Sequence, residues 1–336
     1  MSDDGGGARV YLTGATGFIG GRLAAALHAR GYRLRCLVRT PENAGALMAL
    51  GAELVVGDVA DERAHAQGLE GAHLAWHVAG AYSLGVVDVA AMERTNVAGT
   101  AAFLAALRGA SVERAVYVST TAVLEPVRPG APEGDPAQVM TPPYPTEYQR
   151  TKAEAHELAT SAQDAGEPLV IACPAYVYGP GDTGPSGQYM MDLLRHRMPG
   201  LSTRPTWFSF VHVDDVVAGL VAAGERGAAG ATYVLSGEHA DVNRFMAMIV
   251  KEAGTWGPPL RFPPFVVKLT GTALDAVSRA TGVRLPISRE LADLAATGAR
   301  YTHPWSLAGA DLGYAPRGLA GGLPETVAEV RRRLER

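Results

Sequence analysis

The first strand pattern of the sequence ends in a turn that contains three glycines spaced three residues apart. Gly14, Gly17 and Gly20 stand between the apolar run Arg9–Leu12 and an Ala/Leu-rich helix pattern. Glycines at this spacing permit a tight turn, let the backbone approach a pyrophosphate and let the helix pack closely on the strand. The first helical turn adds N–H donors that attract phosphate charge. The context predicts a dinucleotide site, and the missing Gly-Lys-Ser/Thr sequence argues against a P-loop.

The end of the second strand pattern distinguishes between two dinucleotides. A carboxylate there would accept hydrogen bonds from the ribose 2′-hydroxyl of NAD, but the strand instead ends at Arg39. The planar guanidinium of Arg39 suits a 2′-phosphate. We therefore predict NADP(H) as the cofactor, with NAD as the alternative. The structural alternative for Arg39 is an ordinary solvated cation at a strand end.

Strand and helix patterns alternate along the first half of the chain. The predicted strands are Arg9–Leu12, Tyr32–Val38, Glu53–Val56, His73–Val78, Arg114–Ser119 and Leu169–Cys173. The predicted helices are Phe18–Arg30, Pro41–Leu50, Asp61–Leu69, Met92–Arg108 and Glu147–Ala165. Alternation of this kind predicts right-handed crossovers and a Rossmann-type α/β fold, a doubly wound parallel sheet.

The predicted domain organisation has three parts. Residues 1–7 form a flexible N-terminus, residues 8–180 a nucleotide-binding domain, and residues 181–336 a smaller, mainly C-terminal α/β substrate lobe. Residues from about 206 to 235 are expected to return to the first domain.

The composition excludes several classes of protein. The 336 residues include 30 Lys and Arg against 34 Asp and Glu, a net charge of −4, so no broad basic field is present for nucleic acid or anionic lipid. With 47% hydrophobic residues the chain can bury a large core. The two cysteines, Cys36 and Cys173, indicate no disulfide framework. Neither a signal peptide nor an apolar run of about 18 residues is apparent, which predicts a cytoplasmic protein without a membrane partner.

Seven motifs occur in an order that resembles the extended short-chain dehydrogenase/reductase family. They are the glycine turn, Gly57-Asp58, His77-Val78-Ala79-Gly80, Asn96-Val97-Ala98-Gly99-Thr100, Val118-Ser119-Thr120, Tyr148-Gln149-Arg150-Thr151-Lys152 and the stretch from Pro174 through Tyr178-Gly179-Pro180. The resemblance runs from about residue 8 through Asp215 and is greatest to the dihydroflavonol 4-reductase-like and 3β-hydroxysteroid dehydrogenase-like branch. It implies an NADP(H)-dependent oxidoreductase acting on a carbonyl or secondary alcohol of a hydrophobic small molecule.

The resemblance assigns proton transfer to a tyrosine on a predicted helix. Tyr148 and Lys152 are four residues apart and therefore share one helix face. An ammonium nearby lowers the pKa of a phenol, so we expect Lys152 to lower the pKa of Tyr148 and to hold the nicotinamide ribose. Thr120, at the end of a parallel strand, is expected to donate a hydrogen bond to the substrate oxygen, with Thr121 as the second candidate. Asn96 is expected to support Lys152.

The same motifs imply the remaining site residues. For the cofactor they are Thr16, Phe18 and Ile19 in the glycine turn, with Asp58, Val59, Val78, Ala79, Gly80, Pro174, Tyr176 and Val177. The expected substrate contacts are Tyr82, Thr121, Tyr148, Tyr176, Met190, Met191 and Trp207, and Phe208 is expected to line the same apolar pocket. The two methionines suit the core of the small lobe equally well. His77, His212 and the pair Asp214-Asp215 lack zinc-type spacing, so no metal site is predicted and one of the aspartates is expected to cap a helix.

The residues before His212 indicate which of two substrate classes the protein binds. Nucleotide-sugar epimerases of the family usually carry an arginine just before the segment that Phe210 begins here, whereas this chain has aromatic residues, including Trp207 and Phe208. Arg195 and Arg204 leave an NAD-recycling epimerase or dehydratase acting on a sugar or sugar nucleotide as the alternative.

A non-catalytic NADP-sensing protein is the third interpretation, and the presence of Thr120, Tyr148 and Lys152 argues against it. A homodimer through the predicted helices Met92–Arg108 and Glu147–Ala165 is expected.

Overall fold

Strands and helices alternate through the part of the chain that the computed structural model describes, namely residues 7–82, 88–128, 130–198, 200–282 and 289–335. The strands are β1 (Arg9–Thr13), β2 (Arg33–Val38), β3 (Glu53–Val56), β4 (Leu74–His77), β5 (Arg114–Val118), β6 (Leu169–Pro174), β7 (Tyr176–Tyr178), β8 (Gly200–Ser202), β9 (Trp207–His212), β10 (Thr232–Leu235), β11 (Glu238–Asp241), β12 (Leu260–Phe262) and β13 (Arg300–Tyr301). The helices are α1 (Phe18–Ala29), α2 (Gly45–Ala49), α3 (Glu62–Leu69), α4 (Val89–Met92), α5 (Gly99–Arg108), α6 (Glu147–Asp164), α7 (Pro185–Leu194), α8 (Val213–Arg226), α9 (Val242–Glu252), α10 (Pro264–Thr281), α11 (Arg289–Thr297), α12 (Ser306–Leu312) and α13 (Leu319–Leu334).

Seven parallel strands form the central sheet, in the order β10-β6-β5-β4-β1-β2-β3. Side chains alternate between the two faces along each strand: Val10 and Leu12 pack with α1 and α8, whereas Tyr11 packs with α3 and α5. The strand order reverses between β1 and β4, so a crevice opens at the carboxyl ends of these strands. The predicted Rossmann-type fold is confirmed.

The smaller lobe is built around a second sheet. Strand β9 lies at its centre, paired antiparallel with β11 and, along its other edge, parallel with β13 and β7. Of the segment from about residue 206 to 235, β10 is the edge strand of the central sheet and α8 packs against that sheet, whereas β9 belongs to the small lobe. Successive side chains of β9 point to opposite faces of this sheet, so only every second aromatic residue of the strand faces the crevice.

The helix that the sequence predicts at Met92–Arg108 is divided into three parts. Helix α4 ends at Met92, residues Glu93–Ala98 form a π-helical segment, and α5 follows. Single π turns inside helices are common at functional sites. This one carries Asn96, whose side chain points toward the carboxyl end of β4.

The long connection between β5 and α6 joins the two lobes. The N–H of Val127 donates to the carbonyl of Arg300 at 2.7 Å, and the N–H of Gly134 donates to the carbonyl of Thr302 at 2.7 Å.

None of the described helices is long and apolar enough to span a bilayer.

Candidate active site

A cleft of about 900 Å³ opens along the carboxyl ends of the central strands and continues between the two lobes. Every predicted cofactor residue except Pro174 lines it, and so do the predicted catalytic residues Thr120, Tyr148 and Lys152. Pro174 is buried at the end of β6, and the next residue, Ala175, lines the cleft instead.

Each of the three glycines of the first turn has a different role in the geometry of the turn. Gly14 has a φ of +69°, and a Cβ on it would lie 2.7 Å from the backbone nitrogen of Ala79. A Cβ on Gly20 would collide with the carbonyl oxygen of Gly14, so α1 packs on the turn without space for a side chain. Gly17 precedes α1 and provides no side-chain cap, which leaves the first N–H groups of the helix facing the cleft. The turn is a backbone cradle suited to a pyrophosphate.

A buried histidine ties β1 to β4 beside this cradle. The Nδ1 atom of His77 lies 3.0 Å from the hydroxyl of Thr13, and the same hydroxyl accepts a hydrogen bond from the N–H of Ala79 at 3.2 Å. Burial lowers the pKa of His77 well below its usual value, so the ring is neutral. These bonds fix the two chain segments that face each other across the crevice.

Two arginines lie at the far end of the cleft, beyond the glycine turn. Arg39 follows β2 and is exposed, and Arg94 stands on the π-helical segment; both line the cleft. Asp58 lies near both guanidinium groups, 3.3 Å from Nε of Arg94. A hydrogen bond from the N–H of Ala60 holds the pKa of Asp58 below its usual value, and the two arginines add to this effect. Arg94 was not predicted as a cofactor residue, because this arginine lies within a helical segment and not at the end of a strand.

Tyr148 presents its phenol to the cleft beside Thr120. Helix α6 begins after Thr146, whose hydroxyl accepts from the N–H of Gln149, so Tyr148 lies in the first turn. Burial raises the pKa of Tyr148, and a hydrogen bond with Thr120 partly offsets that rise. The ring of Tyr82 packs against the ring of Tyr148, with centroids 4.5 Å apart. The phenol is therefore protonated at neutral pH and is held next to a second hydroxyl.

Lys152 lies one helical turn further along α6, but its ammonium is bonded to β5. The Nζ atom donates to the carbonyl of Val118 at 3.0 Å and to the phenol oxygen of Tyr117 at 3.2 Å. Burial lowers the pKa of Lys152 to about 8. The expectation that Lys152 lowers the pKa of Tyr148 is wrong for this geometry, because burial of the phenol outweighs any effect of an ammonium directed at β5.

Asn96 contacts the backbone beside Gly80 and not Lys152 itself. Its Oδ1 accepts from the N–H of Ala81 at 2.7 Å, and its Nδ2 donates to the carbonyl of Ala81 and to the hydroxyl of Thr151, both at 3.0 Å. Asn96 does not line the cleft. It positions the segment after β4 relative to α6.

The other hydroxyls after β5 are placed differently from that of Thr120. The hydroxyl of Ser119 lies 2.8 Å from Nδ1 of His156. Thr121 lines the cleft beside Thr120. All three residues border the cleft, but only the hydroxyl of Thr120 is bonded to Tyr148.

Aromatic side chains form the small-lobe wall of the cleft. Tyr176 on β7 packs against Phe208, Phe210 and Phe245, with ring centroids 5.6, 5.0 and 6.1 Å apart. None of the described small-lobe residues that line the cleft is a lysine or an arginine. The described lining of this half is therefore largely apolar, and apart from Asp182, Ser186, Thr206 and the tyrosine hydroxyls it offers no polar side chain to a phosphate.

The structure does not bring three of the predicted substrate residues into the cleft. Met190 and Met191 are buried in the small-lobe core, consistent with their alternative assignment. Trp207 alternates with Phe208 along β9 and faces the other way, where the guanidinium of Arg300 lies 5.8 Å from its ring centre.

Phe210, Phe245, Tyr189 and Tyr301 line the cleft and were missed as substrate-pocket residues. Phe208 and Phe210 are two residues apart on β9 and therefore share a strand face, so the sequence could have predicted Phe210 as a pocket residue. The other three come from α9, α7 and β13, and no local pattern relates them to the site.

His212, and not an aspartate, caps helix α8. Its Nδ1 accepts from the N–H of Asp214 at 3.3 Å, so the expectation of an aspartate cap is wrong. Asp214 instead pairs with Arg22 at 2.8 Å, and Asp215 pairs with Arg317 at 3.0 Å. Both aspartates therefore form ion pairs with distant parts of the chain.

The His212 ring and the carboxylates of Asp214 and Glu325 lie within 4.8 Å of one another. Arg22 pairs with Asp214, and Arg317 approaches Glu325 at 3.2 Å, so a guanidinium faces each carboxylate. The expectation that this chain has no metal site stays a prediction.

A profile of the NAD dependent epimerase/dehydratase family matches residues 10–236. The chain belongs to this family. A 4-hydroxy-2-methyl-3-oxo-4-farnesyl-3,4-dihydroquinoline-1-oxide ketoreductase of Stigmatella aurantiaca is 32% identical over 247 residues, which are 73% of each chain. Sterol demethylase protein B of Methylococcus capsulatus is 30% identical over 270 residues, 80% of this chain and 81% of the relative. The crystal structure of gox2253 superposes with a TM-score of 0.81 at 30% identity, covering 97% and 98% of the two chains.

Membership of the epimerase/dehydratase family confirms the resemblance drawn from the motifs. The family binds a nicotinamide dinucleotide, and the residues of this chain fit one. The glycine turn forms a cradle that a Cβ would fill, and Lys152, Arg39 and Arg94 place positive charge along the cleft. The protein is an NAD(P)-dependent oxidoreductase of this family.

Proposed function

We propose that the protein is an NADP(H)-dependent reductase that converts the carbonyl group of a hydrophobic small molecule to an alcohol. The observation that carries the proposal is the uneven distribution of charge along the cleft. Arg39, Arg94 and Lys152 lie in its nucleotide half, whereas the described lining of the small-lobe half is largely aromatic and aliphatic and lacks a cation; its non-aromatic polar side chains are those of Asp182, Ser186 and Thr206. An apolar wall of this kind favours an uncharged substrate, and a cationic nucleotide end favours a phosphorylated cofactor.

The NADP(H) preference is assigned to the two arginines at the end of the cleft. Arg39 and Arg94 flank the carboxylate of Asp58. A guanidinium donates paired hydrogen bonds to a phosphate, which suits the 2′-phosphate that distinguishes NADP from NAD. Lys152 is assigned to the nicotinamide ribose hydroxyls, and the N–H groups at the start of α1 to the pyrophosphate.

The catalytic roles follow from the pKa and position of each side chain. When bound, NADPH supplies the hydride to the carbonyl carbon. Thr120 donates a hydrogen bond that orients the carbonyl oxygen, and Tyr148 transfers its phenolic proton to that oxygen. The raised pKa of Tyr148 keeps this proton in place at neutral pH. The apolar small-lobe wall excludes water from the reacting carbonyl.

Among the residues that the structure describes, the small-lobe half of the cleft offers the epimerase alternative no cation to hold a diphosphate. Arg195 and Arg204, the cations that sequence reasoning kept for that purpose, do not line the cleft. The name of the Stigmatella relative describes ketone reduction on a farnesylated ring compound, which supports a hydrophobic carbonyl substrate here.

A homodimer is part of the proposal. Helices α5 and α6 are neighbours on one face of the central sheet and are its assigned interface. Light scattering on the purified protein gives the mass directly, and a mass of one chain at micromolar concentration contradicts the assignment.

The proposed activity is tested by NADPH consumption with a panel of aromatic, alicyclic and aliphatic ketones. We expect turnover with at least one class, and Tyr148→Phe is expected to lower kcat by a factor of about 10² to 10⁴. The affinity for NADPH is expected to be unchanged in this variant. Tyr32→Phe, which removes a hydroxyl directly before β2 that does not line the cleft, is the matched control. Equal rates for Tyr148→Phe and the wild type contradict the assignment of the proton donor.

A further inference from the structure

A second, smaller cavity of about 70 Å³ lies in the small lobe under helix α10. Tyr189, Thr206 and Val242 line both this cavity and the main cleft. The two spaces are therefore adjacent and share part of their walls. The small cavity continues the apolar half of the cleft away from Tyr148.

Three of the polar side chains that line the small cavity, those of Ser202, Thr206 and Asn243, form hydrogen bonds within the protein, and a fourth, Thr270, is exposed at its rim. The hydroxyl of Thr206 donates to the carbonyl of Leu294 at 2.6 Å, and Nδ2 of Asn243 donates to the carbonyl of Ser202 at 2.9 Å. The hydroxyl of Ser202 donates to the carbonyl of Arg204 at 3.2 Å. Apolar side chains complete much of the wall, among them Met198, Leu201, Phe262, Val267 and Ala292. Such a space favours a hydrocarbon over a polar group.

We propose that this cavity is a subsite for the terminal aliphatic segment of the substrate. The inference rests on the proposed function and adds a substrate class to it, an elongated ketone with an alkyl or alkenyl tail. The volume is about half that of a cavity that holds a benzene ring, so a few methylene groups fit and an aromatic ring does not. The carbonyl lies at Thr120 and Tyr148, and the tail passes the aromatic wall and ends beside Ala292.

Chain-length dependence provides the kinetic test. The substrates are methyl n-alkyl ketones from 2-pentanone to 2-tridecanone, with NADPH at saturation. We expect kcat/KM to rise about fourfold for each methylene group that enters an apolar site, and to level off once the subsite is filled.

Two variants fill the subsite from different elements. Ala292→Leu on α11 adds three carbons at a buried position, and Val267→Phe on α10 enlarges a side chain of the cavity wall. Each is expected to shorten the chain length at which kcat/KM levels off and to lower the ratio of kcat/KM for the longest and shortest ketones at least tenfold. Leu269→Ala is the control, because Leu269 lies on α10 but is 70% exposed and does not line the cavity. Wild-type length dependence in both filling variants overturns the proposal.

A crystal soaked with a 2-alkanone brominated at its far end locates the tail without turnover. Anomalous scattering from bromine between α10 and α11 supports the subsite, and bromine elsewhere in the cleft or in solvent overturns it. If no ketone is reduced but the bromine occupies this position, the proposed reductase activity fails and the subsite stands. If ketones of every length are reduced at equal kcat/KM, the activity stands and the subsite fails.

Discussion

The phenol of Tyr148 and the ammonium of Lys152 share a helix face, but the structure assigns them to separate environments. Tyr148 is bonded to Thr120 and has a raised pKa, whereas Lys152 donates to Tyr117 and Val118 and has a pKa lowered to about 8. A tyrosine with a raised pKa is a proton donor over the whole neutral range. A lysine with a pKa of about 8 loses its charge at mildly alkaline pH, so we expect Lys152 to weaken cofactor binding there.

The pH dependence of NADPH binding tests this assignment. Lys152 carries its charge below pH 8 and loses it as the pH rises through about 8, so NADPH affinity is expected to be full below pH 7. By pH 9 the affinity falls about tenfold, as expected for the loss of one proton that binding requires. Fluorescence titration of NADPH between pH 6.5 and 9.5 measures the effect. Lys152→Arg does not titrate in this range, and its affinity is expected to show no transition near pH 8. A wild-type affinity independent of pH contradicts the account of Lys152.

Arg39 tests the choice of cofactor. Removing a charge-assisted hydrogen bond to a phosphate costs about 1.5–3 kcal/mol, so Arg39→Ala is expected to lower kcat/KM for NADPH by a factor of about 10 to 100. The value for NADH is expected to change little, because NADH has no 2′-phosphate. Arg30→Ala, which removes a surface guanidinium at the end of α1, is the control. Parallel losses with both cofactors contradict a role for Arg39 at the 2′-phosphate.

The junction of β1 and α1 is the element on which the cofactor site depends. Gly20 and Gly21 are adjacent in the first turns of α1, but only Gly20 faces the carbonyl of Gly14 closely. A methyl group on Gly21 would make an ordinary contact, 3.4 Å from the carbonyl oxygen of Ala15.

This adjacent pair gives a matched test of the packing at the junction. Gly20→Ala is expected to lower the free energy of unfolding by about 1–3 kcal/mol through overpacking and to weaken NADPH binding. Gly21→Ala is expected to raise the free energy of unfolding by up to about 1 kcal/mol, because alanine stabilises a helix interior relative to glycine. Urea denaturation of both variants measures the two free energies of unfolding. The reverse order of stabilities is incompatible with the close packing of α1 on the turn.

At the scale of elements, local patterns predict the nucleotide half of the site well and the substrate half poorly. Gly14, Arg39 and Tyr148 lie within or directly beside short patterns whose geometry is set by a few neighbouring residues. Trp207 was placed in the pocket although strand alternation turns it away from Phe208. The π-helical segment around Asn96 has no signature in hydrophobic periodicity, so one continuous helix was predicted there.

At the scale of the whole molecule, the cleft joins residues from Thr13 to Tyr301. Strand β13 pairs with β9, and this pairing of distant segments places Tyr301 beside the cleft. A single sequence does not reveal such a pairing, because both strands are short and many registers satisfy their patterns. The small lobe, to which we assign substrate binding, is therefore the part that required the structure.

The two cysteines report on the integrity of the whole fold. Cys36 and Cys173 are fully buried on opposite faces of the central sheet, and burial raises the pKa of each thiol to about 12. Neither thiol is expected to react with a thiol reagent until the protein unfolds. The reaction with Ellman's reagent across a urea titration is expected to follow the unfolding transition and to reach two thiols per chain. Rapid reaction of either cysteine in the native protein contradicts the burial described here.

The central claim, net reduction of a carbonyl with NADPH as hydride donor, is tested most directly by isotope transfer. NADPH carrying deuterium at the transferred position is incubated with the protein and a ketone from the active class, and the product alcohol is analysed by mass spectrometry. We predict one deuterium per molecule of alcohol and one NADP⁺ formed per alcohol, with the initial rate of both signals lowered by a factor of about 10² to 10⁴ in Tyr148→Phe. A product formed without deuterium and without net consumption of NADPH contradicts the account and indicates a cofactor-recycling epimerase or dehydratase.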